Sequence, residues 1–142
     1  MVVVEPLEAL GHLAQAPVEA LERLVRQVRG DLGKGVVLRE GPALLPLPFR
    51  DGRRGGLFYL GEALVYECWL RFPERGVEGY GLVLGEDREK ARALATLDAA
   101  LAAGVGVEAI LEGARASREA REAEDEALWK KVNRTRLEVE TL

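Results

Sequence analysis

The chain has 142 residues, 48% of them hydrophobic, with 20 basic and 24 acidic side chains and a net charge of −4. That length and composition suit one globular domain spanning 1–142 and exclude wholesale disorder. The acid excess argues against a nucleic-acid binder, and no apolar run approaches the ~18 residues of a membrane span.

The opening Met1-Val2-Val3-Val4-Glu5-Pro6 lacks the basic start and length of a signal peptide, so a cytoplasmic location is expected. The chain carries one His (His12), one Cys (Cys68), one Ser (Ser117) and one Asn (Asn133). A single cysteine excludes an internal disulfide and any multi-cysteine metal site. Nucleophile–base pairs and zinc sites need these scarce side chains brought together, so a self-contained hydrolase would have to run on carboxylates, Arg, Lys and Tyr. No cofactor or metal is expected, and no catalytic residue is singled out.

In chain order, residues 7–29 read as two short helices. Leu7, Leu10, Leu13 and Ala14 fall at helical spacing, and Pro17 suits the first turn of a second helix. Val18, Leu21, Leu24, Val25 and Val28 form that helix's apolar face, with Gly30 as its expected C-cap. His12 lies about 200° around the helix from Leu10, off the apolar stripe, and is expected to be solvated.

Residues 31–56 are rich in Gly and Pro, and short strands are expected at 36–39 and 43–47. Between 26 and 54 there are seven basic and three acidic residues, a local charge of +4. Glycines beside Arg50, Arg53 and Arg54 are suited to holding a phosphate, although the spacing matches no Walker or dinucleotide fingerprint. A solvated hairpin tip is the other reading of the same residues.

The clearest strand signal lies at 63–72. Leu64, Tyr66, Cys68, Leu70 and Phe72 alternate onto one apolar face, while Val65, Glu67, Trp69 and Arg71 point the other way. Gly61-Glu62 is expected to separate this strand from 57–60, and 80–84 follows a Pro/Gly-rich turn. Cys68 then belongs to the core.

Gly85-Glu86-Asp87 leads into a helix over 88–103, on which Leu94, Leu97 and Leu101 lie within about 60° of one another, joined by Ala91. Asp98 falls inside that arc, where a carboxylate needs a partner. Gly104-Val105-Gly106 interrupts the chain before a long Ala/Glu/Arg-rich helix over 107–132, with Gly113 as a potential break. The alternation of Thr135-Arg136-Leu137-Glu138-Val139-Glu140 predicts a terminal strand over 133–142, or a tail that pairs with a partner's edge. The expected class is α+β: an antiparallel meander of about four strands (31–84) plus a C-terminal strand, packed with helices from 1–30 and 85–132.

This layout resembles the PhnG family, a small subunit of the bacterial carbon–phosphorus lyase machinery. Phe58-Tyr59-Leu60-Gly61-Glu62 looks like the family's Phe-x-x-Gly-Glu turn, followed by a strand that carries Trp69. Gly79-Tyr80-Gly81-Leu82-Val83-Leu84-Gly85-Glu86-Asp87 is similar to its Gly-Tyr-x-x-Val-x-Gly-Arg-Asp segment, leading into an Ala-rich helix with an Asp where Asp98 stands. The end, with Thr135 and Arg136, resembles its Thr-Arg tail. The chain departs from the pattern at Glu86, which stands where an arginine is usual. It departs again at Val139 and Glu140 in place of two aromatics, and at Arg53-Arg54 in place of a Gly-rich run.

The resemblance implies an accessory subunit without a complete active site. Its partners would be PhnI, PhnH and PhnJ, with PhnL and PhnK associated functionally. The reaction supported would be replacement of the base of a purine nucleoside triphosphate by a phosphonate, giving ribose 1-phosphonate 5-triphosphate. Gly61, Glu62, Trp69, Tyr80, Gly85, Asp87, Asp98, Thr135 and Arg136 become candidate structural or partner-interface residues. In isolation a homodimer is a further expectation for such a subunit. The competing reading is a free-standing homodimeric regulatory domain that binds a small molecule or phosphate.

Overall fold

The computed structural model describes residues 6–50, 52 and 55–140. Two helices, α1 (Pro6–Leu13) and α2 (Val18–Leu32), precede strands β1 (Val36–Arg50), β2 (Leu57–Phe72) and β3 (Val77–Leu84). Helices α3 (Arg88–Ala103) and α4 (Val107–Glu140) follow. The strands form one antiparallel sheet in the order β1-β2-β3. The class is α+β as expected, with three strands.

Helix α3 lies across β3 and β2, α2 packs against α3, and α1 packs on the first half of α4. The core between these layers contains Leu13, Leu21, Val28, Leu32, Cys68, Leu97 and Ile110, each fully buried. Asp87 caps α3, its carboxylate accepting the Lys90 N–H at 3.1 Å. At the other end Gly104 adopts the left-handed conformation (φ 72°) and returns its N–H to the last turn.

The closest approach of helix to sheet occurs at Gly79 and Gly81. A Cβ on Gly79 would stand 1.9 Å from the Ala95 carbonyl oxygen, and one on Gly81 would stand 2.1 Å from that of Ala91. Only a bare backbone fits there, and the facing helix positions are correspondingly small.

Several boundaries differ from the sequence reading. The two short strands expected in 31–56 are one strand, β1, which runs through Gly41-Pro42 with a bulge at Leu38. Pro42, Pro46 and Pro48 are an even number of residues apart on an edge strand, so their missing donors share one lateral side and interrupt no common run of ladder bonds. Gly61-Glu62 does not divide β2 either. Gly61 adopts φ 145° beside an irregularity opposite Leu47/Pro48, and pairing continues on both sides. Helix α2 extends past Gly30 and is capped by Gly33 (φ 80°).

Gly113 does not break α4. A Cβ there would meet Leu24 at 2.8 Å, so the glycine makes room for α2. His12 is half-buried between α1 and α4 instead of solvated: its carbonyl accepts the Ser117 hydroxyl at 2.7 Å, and its Nδ1 lies 3.1 Å from an Arg121 nitrogen.

The terminal strand is overturned outright: residues 133–140 continue α4, which is 34 residues long. Extending a helix already under way fixes one residue per added hydrogen bond, and no Gly or Pro after Gly113 stops it. Among the described residues no helix is long and apolar enough to cross a membrane, and no His/Cys/Asp/Glu group is arranged to hold a metal ion.

Candidate interaction surface

Strand alternation gives the sheet two unlike faces. Cys68, Leu70, Phe72 and Val83 face α3 and are buried. Leu64 shares their parity but is exposed, since it lies one rung past the last pairing of β3, Val65 with Leu84. On the other face the register places Leu84 beside Val65 and Ala43, Leu82 beside Glu67 and Gly41, and Tyr80 beside Trp69 and Arg39. Val65 is buried, but Trp69, Tyr80, Leu82 and Leu84 are exposed, Leu84 by 77%.

Polar contacts order the aromatic pair on this open face. The indole N–H of Trp69 donates to Glu78 at 3.0 Å, and the Tyr80 hydroxyl donates to Glu67 at 2.8 Å. The other oxygen of Glu67 meets the Arg39 guanidinium at 2.8 Å. Burial, and then the bond to Glu67, hold the Tyr80 hydroxyl above its ordinary pKa, so it acts as a neutral donor. Trp, Tyr and Arg held in place on an exposed face are the side chains that anchor protein interfaces.

From behind, Asp98 on α3 accepts the Tyr80 backbone N–H at 2.8 Å. This occupies a donor on an edge strand that would otherwise be open to strand pairing.

The hairpin continues past the sheet. Among the described residues, strand segments 44–50 and 57–64 pair with one another and with no third strand, forming a two-stranded arm roughly 20 Å long. Leu44, Leu45, Leu47, Leu57, Leu60 and Leu64 are all exposed on it. A two-stranded ribbon is marginal in water without something to pack on. Gly61 and Glu62 lie on this arm, where Glu62 is exposed opposite Pro46. At its base Gly85 (φ 84°) donates to the Leu64 carbonyl at 2.8 Å.

The phosphate contact expected at the turn falls outside the described residues at Arg53 and Arg54. Of Arg50 only its backbone pairing with Leu57 is described. Other cations of the basic stretch line a cleft of about 380 Å³ between α2 and α3, where Glu22 and Glu89 accompany Arg26 and Arg29. Arg92 at its edge is bound to Glu40 through two nitrogens, one at 2.7 Å, so the cleft has little net positive charge. Thr135 is exposed on α4 and its hydroxyl bonds back to the Lys131 carbonyl at 3.1 Å, while Arg136 is exposed one residue further on.

The sequence reading missed Arg39, Glu40, Glu67, Glu78 and Arg92. The alternation of Glu67 and Arg71 around Trp69 marks a polar-and-aromatic face, but only the register shows which strand supplies each partner. Cys68 offers no nucleophile: burial, with Glu40 adding to it, pushes its thiol up to about 11.

A family model described as phosphonate metabolism protein PhnG matches residues 7–142. No curated protein matches the chain.

Proposed function

The chain belongs to the PhnG family of phosphonate metabolism proteins, and on that premise we propose that it is an accessory subunit of a carbon–phosphorus lyase complex. In this reading it acts in the cytoplasm with PhnI, PhnH and PhnJ, and functionally with PhnL and PhnK. It supports formation of α-D-ribose 1-phosphonate 5-triphosphate from a nucleoside triphosphate and an alkylphosphonate. Its contribution is a docking surface that holds a larger subunit in its working shape, with the bond-making side chains supplied by that partner.

The observation that carries this reading is the open sheet face. Trp69 and Tyr80 are fixed by Glu78 and Glu67 on a surface left exposed among the described residues, next to an arm studded with exposed leucines. An obligate interface of this kind buries on the order of 2,000 Å² or more in total. The side chains displayed are suited to that burial.

Co-expression with PhnI, PhnH and PhnJ, followed by chromatography with mass determination, tests the proposal. A stable complex containing this chain is expected, and the pair Trp69→Ala, Leu82→Asp should drop out of it while remaining folded. A chain that elutes alone beside an assembled PhnI–PhnH–PhnJ complex overturns the reading.

A further inference from the structure

The second half of α4 leaves the body of the protein. Arg121 bonds to His12 of α1, and every residue from 122 to 136 is exposed. A helix without tertiary support is marginal in water even when rich in good helix formers. This one also displays Leu128, Trp129 and Val132, exposed by 61%, 64% and 50%. On a 3.6-residue helix these three lie within an arc of about 100°, forming one apolar patch near the middle of the free segment.

Charge is divided about that patch. On its N-terminal side stand Glu122, Glu124, Asp125 and Glu126, preceded by Arg121, and on its C-terminal side Lys130, Lys131, Arg134 and Arg136, with no acid between 130 and 136 and Glu138 and Glu140 following. Part of this charge is already satisfied within the chain: Arg118 pairs with Glu122 at 3.0 Å and Glu126 with Lys130 at 3.6 Å, and Arg136 too has a partner of its own. The block pattern remains, and it has a handed consequence. Two such helices side by side in parallel set acid against acid and base against base. Reversed about Trp129, they set Glu122 level with Arg136 of the other copy on one flank. On the opposite flank Glu124 falls close to Lys131, and the two apolar patches meet at the centre.

We propose that the projecting half of α4 is a self-association site, which pairs antiparallel with the same segment of a second copy of this chain. The helix is self-complementary in both charge and apolar position, which identifies the partner as another copy. The surface is distinct from the sheet face and arm, and the proposal does not depend on the complex described above.

The test uses the full chain alone. Sedimentation across a concentration series is expected to show a monomer–dimer equilibrium that weakens as salt is raised. Lys131→Glu with Arg136→Glu, and separately Glu122→Lys with Glu124→Lys, should each raise the dimer dissociation constant roughly tenfold or more. An equimolar mixture of the two variants should restore the dimer, which also shows that both remain folded.

Orientation is read by cross-linking. Leu128→Cys is expected to link to itself. Glu122→Cys should link to Arg136→Cys on mixing, and neither of these two to itself. A wild-type monomer throughout, a dimer indifferent to both charge reversals, failure of the mixture to recover, or self-linking at 122 would each overturn the proposal.

Discussion

The carboxylate of Asp98 accepts the backbone N–H of Tyr80 at 2.8 Å, at the middle of a Gly-Tyr-Gly segment whose glycines let the helix backbone touch the strand. One acidic side chain on an otherwise apolar helix face thus closes an exposed edge and sets the height of the strand on the helix.

Removing that acceptor should be costly. Asp98→Ala leaves an edge N–H facing the helix without a partner and is expected to lower unfolding free energy by about 1–3 kcal/mol. Asp98→Asn keeps a carbonyl acceptor and should recover part of the loss. Denaturant melts of the three proteins check this, and equal losses for Ala and Asn would show that charge, not the hydrogen bond, matters.

Two glycine substitutions should have opposite signs. Gly81→Ala drives a methyl to within 2.1 Å of the Ala91 carbonyl oxygen, so helix and strand must separate, at an expected cost of about 2–3 kcal/mol. Gly30→Ala lies inside α2 with nothing within 4 Å and should stabilise by about 0.5–1 kcal/mol. Thermal melts of both variants check the pair.

Acid should loosen the link between β1 and α3. The Arg92 guanidinium bound to Glu40 holds that carboxyl below its ordinary 4.5, more than offsetting the effect of its partial burial. A carboxylate with a depressed folded-state pKa stabilises the fold at pH values above its unfolded value. That stability is lost as pH falls through the folded one. Stability measured from pH 7 downward should therefore decline below about 4.5, and Glu40→Gln should be less stable at pH 7 with a flatter acid limb. A variant with the parental acid limb would assign the decline to other carboxylates.

The thiol of Cys68, fully buried and pushed up to about 11, should resist alkylation at pH 8 in the folded protein and react stoichiometrically once denaturant is added. Counting thiols with a chromogenic disulfide in both conditions checks it.

Local periodicity made much of this fold legible. The apolar spacing of Leu21, Val25 and Val28, the alternation through Cys68, Leu70 and Phe72, and the leucines of α3 each report a face that neighbouring residues define. Asp98 was also visible as a carboxylate in need of a partner, but naming Tyr80 required the packing of α3 on β3.

What sequence could not show depends on distant context. Prolines are tolerated in β1 because it is an edge, which is a property of the sheet. The alternation at 135–140 suggested a strand, yet the helix already propagating from Val107 prevailed. The pairing of Trp69 with Glu78 and Tyr80 with Glu67 follows from register, which no single strand encodes.

Gly79 and Gly81 also act as a mechanical detent. A strand sliding along α3 by two residues would bring Val77 or Val83 to a place where only bare backbone fits, so β3 has one seat on the helix. Because β3 is held, so is the rung that aligns Tyr80 with Trp69 on the far side of the sheet. The hidden face therefore governs the geometry of the displayed one: a methyl group added beneath the sheet would be felt as a displaced aromatic pair above it, in a protein whose exposed residues had not been altered at all.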